Sequence, residues 1–203
     1  MQSWFSKGGA TARNNSHQHA MMSKLLWLIS VAVALSGLDL EHVGATTRRM
    51  EPEACASKAN GQEHFELFGK CYILVNERGT WAYALLECKD RFNGRLAHIE
   101  NPVQLYSIFG WLNGVYSPIP EVERWWIGLL QDQQYGEPAG GWRWQNGRTV
   151  TSTDAKWLWR SGEPNNYGDT EEDCGDLHRL NGDFGANDTP CDRSFPFICE
   201  TDV

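Results

Sequence analysis

The chain has 203 residues, of which 41% are hydrophobic and 22% are charged, and its 26 acidic and 18 basic side chains give a formal net charge of −8. Nucleic acids and anionic membranes bind positively charged surfaces, so this balance argues against both as partners. The excess of acid is explained either by solubility or by local clusters that hold a cation.

The first predicted element is a secretory signal peptide at residues 1–36. Lys24 precedes an apolar run at 25–35, and small residues follow it, which is the order of a cleavable signal. The run of 11 residues is too short to span a bilayer, which takes roughly 20. The signal is predicted to start at Met21 or Met22 rather than at Met1, and cleavage after Ser36, Gly37 or Ala45 stays open. Residues 37–54 are predicted to form a short N-terminal segment.

All six cysteines follow the predicted leader: Cys55, Cys71, Cys88, Cys174, Cys191 and Cys199. An even number of cysteines in a secreted chain predicts three disulfide bonds, with fifteen possible pairings. No pair has CxxC spacing and the histidines are scattered, so a zinc site is not favoured. Without a linker or an internal repeat, residues 55–203 are predicted to form one domain.

Regular elements are predicted in the first half of this domain. The segment GKCYILV, residues 69–75, suits a strand, and RWWIGL at 124–129 suits a buried one. A helix is predicted over 80–91, capped by Thr80, and a second over 101–113 with Pro102 in its first turn. One face of the first helix is predicted to be buried: Trp81, Ala84, Leu85 and Cys88.

Periodicity is lost between Leu130 and Asp173, where Gly, Pro, Asn, Asp and Trp dominate. So long an irregular segment is usually functional or disordered. Its four tryptophans oppose disorder because they can bury large apolar areas: Trp142, Trp144, Trp157 and Trp159. Strands are predicted again at 174–180 and 194–200. The sequence therefore predicts an α+β domain with a large, ordered loop region.

The stretch GEPNNYGDTEEDC, residues 162–174, gathers carboxylates and amides immediately before a cysteine. Ca²⁺ takes six to eight oxygen ligands of these types. Glu163 and Asn165 flank Pro164, so a cis Glu163–Pro164 peptide would let their side chains converge. The same ligand types recur before both cysteines: Glu171, Glu172 and Asp173 before Cys174, and Asn187 and Asp188 before Cys191. An exposed acidic loop is the alternative, but this recurrence favours a calcium site. It is not an EF-hand, whose pattern does not occur.

From Cys55 to Glu200 the domain resembles the C-type lectin domain family. The resemblance rests on six motifs in order: WIGL (126–129), GWRW (141–144), EPN (163–165), EDC (172–174), NDTPC (187–191) and FICE (197–200). It implies the family's double-loop fold, with two helices, two small antiparallel sheets and a long Ca²⁺-binding loop region. It also implies three disulfide bonds, the first typical of long-form domains: Cys55–Cys71, Cys88–Cys199 and Cys174–Cys191.

The resemblance also implies a ligand set. The principal Ca²⁺ site would use Glu163, Asn165, Glu172, Asn187, and both the side chain and the backbone carbonyl of Asp188. In the family, two neighbouring sugar hydroxyls coordinate this ion, and the same acids and amides hydrogen-bond those hydroxyls. The motif EPN, in place of QPD, resembles members that prefer mannose, N-acetylglucosamine, glucose or fucose over galactose.

Tyr167 is placed either to pack against the sugar ring or to anchor the loop. Three features depart from the family pattern. Ala186 replaces a tryptophan that normally packs beneath the site. An extra loop residue leaves Glu171 as a competing ligand. At the auxiliary ion site, Gln131 stands where an acid is expected and Asp132 is one place late, so no second ion is predicted.

These features predict a secreted, Ca²⁺-dependent lectin for mannose-type glycans. The alternative is a C-type lectin-like domain that binds a protein or another non-sugar ligand. An enzyme is not predicted, because neither HExxH nor GxSxG occurs. Single sugars bind weakly, so a homo-oligomer is one route to useful avidity. An innate-immune role would fit the family.

Overall fold

The computed structural model describes residues 52–117, 123–168 and 170–203. The predicted signal peptide, its start and cleavage points, and most of the segment 37–54 lie outside the described residues. None of the helices in the described part of the chain has the length and hydrophobicity needed to cross a bilayer.

Helices and strands alternate through the described residues. The helices are α1 Pro52–Ala59, α2 Trp81–Phe92, α3 Pro102–Tyr116 and α4 Ser152–Leu158, with a 3₁₀ turn at Gln133–Tyr135. The strands are β1 Glu63–Leu67, β2 Lys70–Gly79, β3 Arg95–Leu96, β4 Arg124–Gln131, β5 Trp142–Trp144, β6 Cys174–Leu180, β7 Asp183–Thr189 and β8 Phe195–Asp202. The predicted α+β class is confirmed, and several strands occur where the sequence predicts them.

Both predicted helices begin directly after a capping residue, Thr80 or Asn101. The side chain of Thr80 accepts a hydrogen bond from the backbone N–H of Tyr83 at the start of α2. Asn101 caps α3 in the same way, with Pro102 in the first turn. These bonds satisfy N–H groups that have no partner within a helix. On α2, the predicted inner face is buried at Trp81, Ala84 and Cys88, and Leu85 is partly buried.

The strands form one hydrogen-bonded sheet in the order β1-β2-β8-β4-β6-β7, with β3 on β8 and β5 on β4. The two halves of this sheet are joined by the parallel pair Trp126 and Phe197, while the other strand pairs are antiparallel. The resemblance implies two helices and two small sheets. The described residues contain four helices and one continuous sheet, whose two halves meet at this pair. Trp126 and Phe197 are both buried in the same core cluster.

Three disulfide bonds tie the elements together, with the pairings that the resemblance implies: Cys55–Cys71, Cys88–Cys199 and Cys174–Cys191. The second links α2 to β8 across 111 residues. Closing so long a loop restricts the unfolded chain, by about 4–5 kcal/mol in the chain-entropy model. The third joins the start of β6 to the chain that leaves β7. It therefore holds together the two stretches that are rich in oxygen ligands.

The long loop region contains more regular structure than the sequence predicts, because α4 lies within it. The Thr151 hydroxyl accepts from the N–H of Asp154, and the Asp154 carboxylate accepts from the N–H of Thr151. Such a reciprocal capping box stabilises a helix start. Trp142 and Trp144 of β5 are buried, at 2% and 1% exposure. The region is therefore anchored to the core before α4 begins.

The chain leaving α4 is held against β7. Arg160 donates its backbone N–H to the carbonyl of Ala186 (2.9 Å), and Trp159 forms an isolated bridge with the same residue. Gly185 permits this approach, because a Cβ there would lie 2.7 Å from the Arg160 nitrogen. Ala186 is fully buried in the core cluster against which Trp159 packs. This pairing brings the side chain of Arg160 to the oxygen-rich loop.

Candidate functional site

The carboxylate of Asp188 holds the EPN segment in place. Asp188 lies on β7 and is fully buried. One of its oxygens, Oδ2, accepts hydrogen bonds from the backbone N–H groups of Asn165 and Asn166, both at 2.8 Å. The Glu163–Pro164 peptide that precedes them is cis, the isomer that would let the side chains of Glu163 and Asn165 converge. The other oxygen, Oδ1, is buried and has no hydrogen-bond partner among the described residues.

Glu172 organises the next part of the loop in a similar way. Its Oε2 accepts a hydrogen bond of 2.7 Å from the backbone N–H of Tyr167, and the residue is 8% exposed. The Tyr167 side chain, in contrast, is 80% exposed. Two predicted ligands therefore shape the loop backbone and leave an aromatic ring open to solvent beside them.

The side chain of Glu163 is buried against an arginine. Arg160 donates from Nη2 to Glu163 Oε1 at 2.5 Å and to Asn187 Oδ1 at 2.9 Å. The two charged side chains are only 11% and 5% exposed. Glu163 Oε2 is buried without a hydrogen-bond donor in the described part of the chain. One guanidinium thus bridges two of the five predicted ligands.

The charges of this cluster act on one another. Burial raises the pKa of Glu163 to about 7, the Arg160 guanidinium opposes this rise, and the carboxylates of Asp188 and Glu172 add to it. Burial also raises the pKa of Glu172, with Asp188 contributing in the same direction. Glu163 and Asp188 can share a hydrogen bond only when a proton lies between them. Close carboxylates of this kind bind either a proton or a cation.

A buried polar layer supports Asn187 from below. Asp176 of β6 is the direct partner of Asn187 in the β6–β7 register. Its Oδ1 accepts from Arg124 Nε at 3.0 Å, and burial raises the pKa of Asp176 to about 6. The Asn187 amide group donates to the Asp188 carbonyl and to Thr189 Oγ1. These contacts fix which way the Asn187 oxygen points, toward Arg160.

The competing acid Glu171 lies in a cluster with two other acids, Glu137 and Asp173. Carboxylate oxygens of Glu137, Glu171 and Asp173 all lie within 4.8 Å of one another. Asn166 donates to Glu137 at 3.1 Å, and Gln133 donates to Asp173 at 2.7 Å. The segment around Glu137 therefore lies directly against the loop that follows the EPN motif.

Sequence reasoning missed Arg160, Asp176 and Glu137. Glu137 could have been found, because the tripeptide Gly-Glu-Pro occurs at 136–138 as well as at 162–164, and both Glu-Pro peptides are cis. A single arginine three residues before Glu163 is also visible in the sequence. Asp176 gives no local signal, because its role depends on the strand register.

The predicted ligands therefore fall into one connected cluster. Glu163, Glu172 and Asp188 interact electrostatically, Asn187 shares Arg160 with Glu163, and the Asn165 backbone is bound to Asp188. Two buried carboxylate oxygens in it lack donors among the described residues. Such unpaired, charged oxygens are costly unless they receive a proton or a cation. The donor set, carboxylate and amide oxygens, fits a hard cation such as Ca²⁺.

The chain resembles known proteins in sequence and in fold. The family model described as "Lectin C-type domain" matches residues 77–201. Hepatic lectin of Gallus gallus is 30% identical over 210 residues, which cover 96% of this chain and 91% of that protein. The C-type lectin lectoxin-Lio3 of Erythrolamprus poecilogyrus is 33% identical over 132 residues, which cover 64% of this chain and 74% of that protein.

The carbohydrate-recognition domain of mouse scavenger receptor C-type lectin is a structural neighbour. It is 26% identical, with a TM-score of 0.54, and the match covers 68% of this chain and 95% of that domain. The match extends over most of the described residues. Sequence and fold therefore point to the same family.

Proposed function

The chain belongs to the C-type lectin domain family, whose matched members are lectins rather than enzymes, and from this premise we propose that it is a secreted, Ca²⁺-dependent lectin for mannose-type sugars. The observation that carries the proposal is a pair of buried oxygens, Glu163 Oε2 and Asp188 Oδ1, for which the described residues provide no hydrogen-bond donor. They lie in a cluster of three interacting carboxylates, where a divalent cation would relieve the repulsion.

The ion would be held by the side chains of Glu163, Asn165, Glu172, Asn187 and Asp188, with the Asp188 carbonyl as a further ligand. When bound, it would supply coordination positions for two neighbouring sugar hydroxyls. The protein's own carboxylates would accept hydrogen bonds from those hydroxyls, and its amides would donate to them. The exposed ring of Tyr167 would cover the apolar face of the sugar.

The cellular location and the mode of assembly are part of the same proposal. Three disulfide bonds support an extracellular protein, because such bonds persist in oxidising compartments. A lectin with millimolar affinity for single sugars, or ~4 kcal/mol, gains by presenting several sites together. We therefore include a homo-oligomer that binds multivalent glycans. An innate-immune role remains a prediction of the family resemblance.

Retention on sugar columns tests the proposed function. In Ca²⁺, the protein should be retained on mannose-agarose, released by EDTA, and not retained on galactose-agarose. The matched variant Glu163→Gln with Asn165→Asp exchanges which group donates and which accepts, so it should prefer galactose. Retention that survives EDTA, no retention in Ca²⁺, or unchanged selectivity in the variant would each contradict the proposal.

One observation favours the second candidate, a lectin-like domain that binds a non-sugar ligand. Arg160 already bridges Glu163 and Asn187, so its guanidinium stands where an ion needs those oxygens. A protein ligand would need neither the ion nor the displacement of this arginine. The column experiment separates the two candidates, because the second predicts no retention on mannose in Ca²⁺.

Replacing Arg160 measures this competition directly. Arg160→Gln should lower the free energy of unfolding of the metal-free domain by about 2 kcal/mol, because a buried carboxylate loses its charged donor. The same change should strengthen calcium binding about tenfold, since the ion no longer has to displace the Arg160 guanidinium. Thermal melts in EDTA and calorimetric titration with CaCl₂ report the two effects.

Arg78→Gln is the matched control, because Arg78 forms an exposed ion pair with Glu123 elsewhere on the surface. It should alter neither quantity. Weaker calcium binding in Arg160→Gln would show that the arginine supports the ion site rather than competing for it.

A further inference from the structure

A cavity lies on the flank of the long loop region, outside the predicted calcium site. It has a volume of about 380 Å³ and is lined by Asp132, Tyr135, Gly141, Arg143, Gly147 and Thr149. Pockets for small ligands typically have volumes of ~300–1,000 Å³. None of these six residues belongs to the predicted calcium ligand set.

The local sequence explains how the walls of this cavity are built. Trp142 and Trp144 of β5 are buried, so Arg143 between them lies on the opposite, outer face of the strand. Gly141 has a φ of +76°, and a Cβ there would lie 2.3 Å from the Asp132 carbonyl oxygen. Gly147 has a φ of +85°. Gly141 is therefore needed for the close approach of its backbone to the segment from Asp132 to Tyr135, while Gly147 faces open space and adds only backbone to the lining.

The polar groups of the cavity form a donor and acceptor pair. Arg143 Nη1 donates to Asp132 Oδ2 at 3.1 Å, and the two side chains are 45% and 21% exposed. In the described part of the chain, Asp132 is the acceptor found for the Arg143 guanidinium, which has five N–H donors. Thr149, the bridge partner of Arg143, adds a hydroxyl. Because the ion pair has no net charge, the cavity favours a neutral polar ligand over an ionic one.

An exposed aromatic ring completes the cavity. Tyr135 ends the 3₁₀ turn that Asp132 caps, and it is 67% exposed. An open aromatic face beside a donor and an acceptor suits a pyranose ring, whose C–H face is apolar and whose hydroxyls both donate and accept.

The segment that carries Tyr135 is bound to the loop of the predicted calcium ligands. Gln133, two residues before Tyr135, donates to Asp173, which follows the predicted ligand Glu172. Glu137, two residues after Tyr135, accepts from Asn166, which follows the predicted ligand Asn165. Both ends of the segment that carries the tyrosine are thus bound to the loop that carries the ligands.

We propose that this cavity is a second saccharide subsite, which binds a neutral pyranose residue without calcium and extends the first site along a glycan. Tyr135 contacts the apolar face of the ring, and Asp132, Arg143 and Thr149 bind its hydroxyls. The kind of ligand rests on the proposed function. Binding at the cavity itself does not require the ion.

Saturation-transfer NMR in EDTA tests the subsite alone. With methyl α-mannopyranoside at millimolar concentration, the wild type should transfer saturation to the ring protons of the sugar. Tyr135→Ala and Arg143→Gln should reduce this transfer at least about fivefold. The matched control is Tyr106→Ala on α3, because Tyr106 is 65% exposed and outside the cavity; it should behave as the wild type. No transfer in EDTA, or equal transfer in Tyr135→Ala, would overturn the proposal.

Calorimetry in Ca²⁺ connects the two sites. A trimannoside should bind the wild type about tenfold more tightly than the monosaccharide. Tyr135→Ala should lower this affinity ratio to near one, whereas Tyr106→Ala should leave it unchanged. A ratio near one in the wild type would overturn the extension along a glycan. Failure of the proposed function appears differently: calcium then adds no monosaccharide affinity, while transfer in EDTA persists.

Discussion

Asp188→Asn is expected to weaken calcium binding strongly while the loop keeps its position. The asparagine side-chain oxygen can still accept the two backbone N–H groups that Asp188 Oδ2 accepts. Its amide nitrogen then replaces Oδ1, the oxygen without a donor among the described residues, and an amide N–H cannot bind a cation. The loss of one charge and one ligand should weaken calcium binding on the order of 100-fold.

The same substitution should not destabilise the metal-free domain. The new amide can donate to Glu163, whose Oε2 is likewise unpartnered in the described part of the chain, and repulsion between two carboxylates is removed. Melting temperatures in EDTA should therefore be equal to or above those of the wild type. Asp188→Ala, which removes the acceptor of both N–H groups, should instead lose about 2 kcal/mol.

Asp183→Asn provides the control for this pair of variants. Asp183 also accepts a backbone N–H, that of Ser161 at 2.7 Å, but it is exposed and is not a predicted ligand. Calcium titrations of this control should match the wild type. If Asp188→Asn bound calcium as tightly as the wild type, the ion could not be held at Asp188, and the ligand set would be wrong.

Local signals predicted those parts of the fold that local interactions determine. Thr80 and Asn101 cap their helices through bonds to residues three positions ahead, so sequence spacing was enough. The short helix α4 was missed, although Thr151 and Asp154 have the spacing of a capping box. Hydrophobic periodicity does not reveal this helix, because seven residues are too few to show a period.

Interactions between distant residues explain what the sequence could not predict. The strand β7 reads DFGANDT, which is poor in strand-forming residues, and its pairing with β6 holds it in extended form. Arg160 meets Asn187 across 27 positions, because α4 and Gly185 bring the two chain segments together. The oxygen ligands were visible in the sequence as a local composition. The position of the Arg160 guanidinium against them depends on the tertiary fold.

Lowering the pH is expected to stabilise the metal-free domain through Glu163. Its pKa is about 7 in the folded domain, against an ordinary value of 4.5. Between these values the folded state holds a proton that the unfolded state lacks, so the contribution of Glu163 to stability rises as the pH falls. The gain should reach about 2 kcal/mol near pH 5, because each pKa unit corresponds to ~1.4 kcal/mol.

Comparison with Glu163→Gln isolates this contribution. Burial lowers the pKa of His98 from its ordinary value of 6.5 to about 3. Between these pH values His98 is protonated in the unfolded chain but not in the folded domain, so it destabilises the folded domain as the pH falls below 6.5. His98 is present in both proteins, and its effect cancels in the difference. Melts in EDTA at several pH values should show the wild type gaining on the variant toward acid. A difference that is flat across this range would contradict the raised pKa.

Calcium reverses this dependence, because the ion and the proton compete for the same carboxylate. With one proton to displace and a pKa of about 7, calcium affinity should fall about 25-fold from pH 7.5 to 5.5. Retention on mannose-agarose at fixed calcium should therefore be lost in mild acid and restored at the same pH by a proportionate rise in calcium. Restoration is the decisive part: acid denaturation would also release the sugar, but added calcium would not reverse it, since an unfolded loop no longer gathers these oxygens.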